Sequence, residues 1–179
     1  MAEEVKNKNN CIFCAIANGS NPSAKIYEDD KIICVLDIFP ASRGHILVIP
    51  KMHVVFSTQM EDSLSTQVFS FANKMAAMIF EAMNAEGTNI LVANGVSAGQ
   101  KVGHAVVHVI PRYKGDNVKI EFGGKQITQE ELEDVMKKIA GKSQQSQKAE
   151  VPSKPAEIKK KEFLEESFAE EYGEEERLP

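Results

Sequence analysis

Four histidines, three cysteines and one glycine-rich loop hold most of the reactive chemistry open to this 179-residue chain. Two of the histidines lie in Gly99-Gln-Lys-Val-Gly-His104-Ala-Val-Val-His108-Val-Ile-Pro-Arg112. Side chains alternate between the faces of a strand, so Val102, His104, Val106, His108 and Ile110 would share one side of a sheet. A lone histidine is usually a satisfied structural group. Two imidazoles flanking a valine on one face, after glycines at 95, 99 and 103, point further. Glycines let backbone N–H groups close on an anion, which makes the loop a candidate phosphate site. Cys11 and Cys14 are spaced C-x-x-C, which is either half of a tetrahedral metal site or two thiols opening a helix. Cys34 stands alone in an apolar run and reads as a small buried hydrophobe.

These residues need a scaffold, and composition narrows its type. Hydrophobic residues make up 42% and charged residues 26%, proportions that exclude a mostly disordered or fibrous chain. No apolar run approaches the ~20 residues needed to span a bilayer. The opening MAEEVKNKNN lacks the apolar core of a secretory signal, so a cytoplasmic protein without a disulfide framework is expected. The net charge of −5 comes without a basic stripe, so neither nucleic acid nor membrane is an expected partner.

Periodicity supplies the elements. Residues 25–38 read as two short strands around a Glu28–Asp30 turn, and Gly44–Pro50 as a strand buried on both faces. Leu64, Val68, Phe71, Met75, Met78, Ile79 and Ala82 form a helical stripe over 61–84, with the methionines as core filler. Thr88–Val92 and Ala105–Ile110 are further strands. Thr128-Gln-Glu-Glu131 is a capping box opening a last helix to about Ala140. Strands and helices without βαβ alternation imply an α+β domain with an antiparallel sheet, one long helix and a C-terminal helix. The expected layout is a flexible N-terminus over 1–10, a domain over 11–140 and a charged tail over 141–179. That tail is too polar to offset its ordering entropy, and is expected to be linker to 160 and disordered or transiently helical beyond. Leu164, Phe168 and Tyr172 fall on one helical face, which is either chance spacing or a motif that folds on a protein partner.

Three segments in order make the chain recognisable: C-I-F-C-x-I at Cys11, D-I-x-P-x-x-x-G-H-x-L-V-I-P-K-x-H from Asp37 to His53, and G-Q-x-V-x-H-x-x-x-H-V-I-P-R from Gly99 to Arg112. Together they resemble the histidine triad (HIT) family, closest to its Hint-like branch of small nucleotide-binding proteins, over roughly residues 10–140. The resemblance implies a HIT-like fold and a homodimer formed through the long helix and a neighbouring strand. Family members carry H-x-H-x-H, whose middle imidazole attacks the α-phosphorus of a nucleoside phosphoramidate or related nucleotide. Water then hydrolyses the nucleotidyl-histidine. Here the outer positions are His104 and His108, and the middle one is Val106. Valine has no lone pair and cannot form that intermediate.

The resemblance also assigns binding residues. Asp37 would meet the ribose hydroxyls, Ile38 the base and His108 the phosphate and leaving group, with His45 in the hydrogen-bond network. Asn94, Gly99, Gln100 and Lys101 are the nucleotide-binding candidates of the loop: Asn94 either substitutes for the family asparagine or does not, and Lys101 either binds the phosphate as a point charge or points into solvent. Two departures stand out: Ala93 replaces the family loop's first asparagine, and Lys101 replaces a small hydroxyl or glutamate. In a subset of the family, C-x-x-C is completed by the histidine after I-P-K-x and by the first triad histidine. That implies a closed structural zinc site of Cys11, Cys14, His53 and His104. The expected function is therefore binding of a purine nucleoside monophosphate or phosphoramidate, with the covalent hydrolase step absent or very weak. Two alternatives stay open: a zinc-stabilised dimeric scaffold acting through its tail, and a residual hydrolase in which His108 and Lys101 assist direct attack by water.

Overall fold

A computed structural model describes residues 10–121 and 123–146 of the chain. The chain divides into two units, 1–121 and 122–179. The first contains α1 (Ile12–Ala17), β1 (Lys25–Glu28), β2 (Ile32–Leu36), β3 (Ile46–Pro50), α2 (Asp62–Met83), β4 (Gly87–Val92) and β5 (Val107–Arg112). The strands form one antiparallel sheet in the order β1-β2-β3-β5-β4, so the expected α+β architecture is the observed one.

Period-two alternation decides which side chains meet which helix. Ile32, Cys34, Ile46, Val48, Val107 and Val109 point to the face where α2 lays down Leu64, Val68, Ala72, Met75 and Ile79. The intervening Ile33, Val35, Leu47, Ile49 and Val106 form a second cluster on the opposite face, against Phe13, Ile16 and Ala17 around α1. Strands β2 and β3 read as near-continuous hydrophobic runs because both of their faces are covered. Burial pushes the Cys34 thiol up to about 12, an inert group inside the α2 core.

Strand β5 begins at Val107 rather than at the expected Ala105. The Ala105 N–H donates to the Val54 carbonyl at 2.7 Å, which takes that residue out of the sheet ladder. The even-numbered positions nevertheless stay on one side, since Val102, His104, Val106 and His108 all line a single cavity.

The turn before β3 depends on Gly44, whose φ is +90°. A Cβ there would sit 3.3 Å from Pro111 Cγ and 3.4 Å from Met83 Cε. Gly44→Ala is expected to cost about 1–3 kcal/mol, read as a lower urea midpoint at unchanged m-value. An unchanged midpoint would refute the strain argument.

In the second unit, α3 spans Gln129–Ser146. Its capping box forms as expected: the Glu131 N–H donates to Thr128 Oγ1 at 3.2 Å, and the Thr128 N–H to Glu131 Oε2 at 2.8 Å. The helix runs through Gly141 to Ser146, so the first residues of the expected linker are helical. A single glycine costs a helix only about 1 kcal/mol. Residues 1–9 and the tail motif Leu164, Phe168 and Tyr172 lie outside the described residues. Among the described residues no helix is long and apolar enough to cross a membrane.

Candidate functional site

The sheet face that carries α1 also carries a cavity of about 540 Å³. Its walls include Phe13 and Ile16 from α1, Asp37 and Ile38 beyond β2, Lys101 from the glycine loop and His108 from β5. Ile38 and Phe39 are 76% and 84% exposed, so the turn after β2 presents two large apolar groups at the mouth.

Asp37 holds that turn. Its Oδ1 accepts the Phe39 N–H at 2.9 Å, and its Oδ2 lies 3.4 Å from His45 Nδ1. The same Nδ1 accepts the Ala41 N–H at 3.2 Å. On the other side of the ring, His45 Nε2 lies 3.1 Å from His108 Nδ1. Both imidazoles are held below the ordinary histidine value, first by burial. For His45 the neighbouring His108 adds to the depression, and for both rings the Asp37 carboxylate opposes it. A chain of three titratable groups thus runs from the turn to the cavity.

Val106 lies on this face between His104 and His108, 6% exposed, packed among Ile33, Val35, Leu47 and Ile49. It offers a ligand an apolar wall and no nucleophile.

The glycine loop is braced from inside. Gln100 Oε1 accepts the Gly95 N–H at 2.7 Å, and its Nε2 donates to the carbonyls of Val55 at 2.7 Å and Val102 at 3.0 Å. Gln100 borders the cavity, but its amide is occupied in shaping the loop. Gly99, with φ +91°, ends the short 3₁₀ turn Val96–Ala98. Asn94 is bonded outside the cavity. Its Oδ1 accepts the Ser57 N–H at 2.8 Å, and its Nδ2 donates to Ser57 Oγ at 2.9 Å. Ala93, rather than Asn94, reaches the cavity wall.

A second cluster adjoins the cavity. Cys11 Sγ lies 3.4 Å from His104 Nδ1, Cys14 Sγ 3.6 Å from the same nitrogen, and Cys14 Sγ 3.1 Å from His53 Nδ1. The four potential ligand atoms all lie within 4.8 Å of one another. Helix α1 begins at this cluster, with Cys11 as its N-cap, so the pair opens a helix and its thiols also stand beside two imidazoles. His104 Nε2 donates to the Pro50 carbonyl at 2.9 Å. A carbonyl only accepts, which leaves the Nδ1 lone pair turned toward the thiols, as a metal-ligating imidazole requires. The donor set is compatible with a bound metal ion.

Sequence reasoning identified all the polar groups of both clusters but missed the α1 contribution to the cavity. The i, i+3 spacing of Phe13 and Ile16 was the available signal.

Comparison with known proteins agrees with this geometry. The HIT domain family matches residues 18–115. An uncharacterized HIT-like protein of Methanocaldococcus jannaschii is 39% identical over 132 residues, covering 73% of this chain and 99% of the relative. A zinc-bound histidine triad family protein from Mycobacterium smegmatis has a similar structure, with TM-score 0.60 and 32% identity, covering 78% of this chain and 99% of that one. A histidine triad nucleotide-binding protein from Candida albicans gives TM-score 0.70 at 27% identity, covering 76% and 99%. With its motifs in register, its sheet and helices in the same arrangement and most of its length matched, this chain belongs to the HIT family.

Proposed function

We propose that the cavity binds a purine nucleoside 5′-monophosphate or its phosphoramidate, and that the covalent reaction of the family has no nucleophile here. Val106 carries the second half of this reading: it occupies the middle of the triad face, between His104 and His108. The first half is supported by a cavity of about 540 Å³, within the range of small-ligand sites. Phe13, Ile16 and Ile38 offer apolar walls to a base, and Asp37 an acceptor to ribose hydroxyls. Lys101 and the Gly99 turn stand where a phosphate would need charge and close backbone approach.

Zinc is the metal proposed for the cysteine-histidine cluster. Zinc bonds of about 2.3 Å to sulfur and 2.0–2.1 Å to nitrogen put neighbouring S and N ligands of a tetrahedron about 3.5 Å apart. The observed separations are 3.1, 3.4 and 3.6 Å. Cys11, Cys14, His53 and His104 would hold the ion with no position left for water, so its contribution would be to tie α1 to the sheet. A homodimer is proposed on the α2 face that exposes Phe69 and Phe80, beside the edge strand β4. Sedimentation should then report twice the 19.8 kDa chain mass at micromolar concentration.

Calorimetric titration tests the binding reading. AMP is expected to bind one per chain and more tightly than adenosine. Lys101→Met should weaken AMP by about tenfold, the scale of one charged hydrogen bond, and leave adenosine unaffected. Absence of AMP binding, or equal affinity for AMP and adenosine, would sink it.

A further inference from the structure

We infer that Asp37, His45 and His108 form a proton relay that makes His108 Nε2 a general base, so that water attacks the phosphorus of a bound nucleotide phosphoramidate directly, without a covalent intermediate. The inference rests on the nucleotide-binding reading above and goes beyond it by assigning a reaction to the residues that remain.

His45 turns opposite ring nitrogens to its two partners. Nδ1 faces Asp37 Oδ2 at 3.4 Å and Nε2 faces His108 Nδ1 at 3.1 Å. One ligand atom from each of Asp37, His45 and His108 lies within 4.8 Å of the others, and the two His45 contacts use opposite ring nitrogens, so the three groups are arranged in a line.

Two proton arrangements are open to that line, because Nδ1 of His45 has two competing neighbours. The Ala41 N–H, at 3.2 Å, can only donate; the Asp37 carboxylate can only accept. When Ala41 holds Nδ1, His45 Nε2–H donates to His108 Nδ1, and His108 carries its proton on Nε2. When Asp37 holds Nδ1–H, the polarity reverses: His108 Nδ1–H donates to His45, and His108 Nε2 presents a lone pair. The second arrangement has the logic of a carboxylate–imidazole pair, lengthened by one ring. It stabilises the imidazolium that forms when His108 takes a proton. His108 lies two residues along the triad face from Val106 and lines the same cavity. Val106 leaves that cavity without a competing imidazole at the middle position.

In the step proposed, a water oxygen forms a bond to phosphorus while one of its protons passes to His108 Nε2. The P–N bond breaks, its electron pair stays on nitrogen, and the departing nitrogen takes a proton from solvent. The products are the nucleoside monophosphate and ammonia, and His108 returns its proton to solvent. His108 is the catalytic residue; Asp37 and His45 are positioning residues.

Adenosine 5′-phosphoramidate and the full chain provide the test, with AMP binding measured alongside. Slow turnover is expected, reduced about 10²-fold in His108→Gln, the low end of what one general base supplies. A P-chiral thiophosphoramidate hydrolysed in ¹⁸O-water should give inversion at phosphorus, since one displacement inverts and two retain. The titratable groups around the cavity are Asp37, His45, Lys101, His104 and His108. Asp37→Asn keeps an acceptor for the Phe39 N–H but removes the charge that raises both relay imidazoles. It should lower kcat more than it raises KM, and move the acid limb of the kcat profile to lower pH. A purely structural Asp37 would leave that limb in place. Retention of configuration, a nucleotidylated wild-type protein, or equal turnover by wild type and a His108→Gln variant that still binds AMP would each overturn the relay. Failure to bind AMP would overturn the underlying reading as well.

Discussion

Val106→His is expected to install a covalent step: mixed with adenosine 5′-phosphoramidate, the variant should gain the mass of one adenylyl group and turn over about 10²-fold or more faster than wild type. That scale is what a single well-placed catalytic group contributes. Position 106 shares its face with His104 and His108 and lines the cavity, so an imidazole there would open onto the space assigned to the α-phosphate. His104 cannot substitute, because its Nε2 is bonded to Pro50 and its Nδ1 faces Cys11 and Cys14. The replacement has a cost. Val106 is 6% exposed and belongs to a buried apolar cluster, and overpacking such a site costs about 1–3 kcal/mol. A folded variant that binds AMP yet forms no adduct and gains no rate would show that the phosphate does not lie against position 106.

The second large effect concerns the metal. Zinc-loaded protein is expected to melt well above chelator-treated protein, and Cys14→Ser should lose most of the difference. A ligand bound only by the folded state stabilises by about 4 kcal/mol at a thousand times its Kd. For a chain of this size that is about 8–16 °C in Tm. The elements affected are identifiable. Helix α1 is only six residues long and buries none of them fully. Its hold on the sheet is Phe13 and Ile16 against the Val106 cluster, together with the cysteine pair at its start. Loss of the ion should therefore loosen the cavity wall, and calorimetry of the apo protein should show weaker AMP binding. One zinc per chain by elemental analysis is the accompanying expectation. A Tm indifferent to chelation and to Cys14→Ser would sink the metal reading.

Much of this was legible in one dimension, for reasons that differ by element. Strands β2 and β3 announce themselves because both faces are covered, which makes them continuous apolar runs. Helix α2 shows because only one stripe of it meets the sheet. The Thr128–Glu131 cap is visible because its partners are three residues apart. The sequence is silent where a partner is distant. Ala105 leaves the ladder for Val54. Asn94 is claimed by Ser57, 37 positions away, and the Gln100 amide by Val55, 45 positions away. Each is a polar group in a loop, and a loop's hydrogen bonds follow no period that a sequence could display.

The amino-acid sequence by itself determined the element types, the family motifs and the decisive absence at Val106, since residue identity alone decides whether a lone pair exists. Only the tertiary structure decided how the surviving imidazoles are used. His104 is committed to the cysteine pair and Pro50, while His108 is joined to Asp37 through His45. The direction of a proton in such a chain depends on which donor or acceptor lies within hydrogen-bonding distance of each ring nitrogen. His45 and His108 stand 63 positions apart in the chain and 3.1 Å apart in space, and folding alone brings those atoms together.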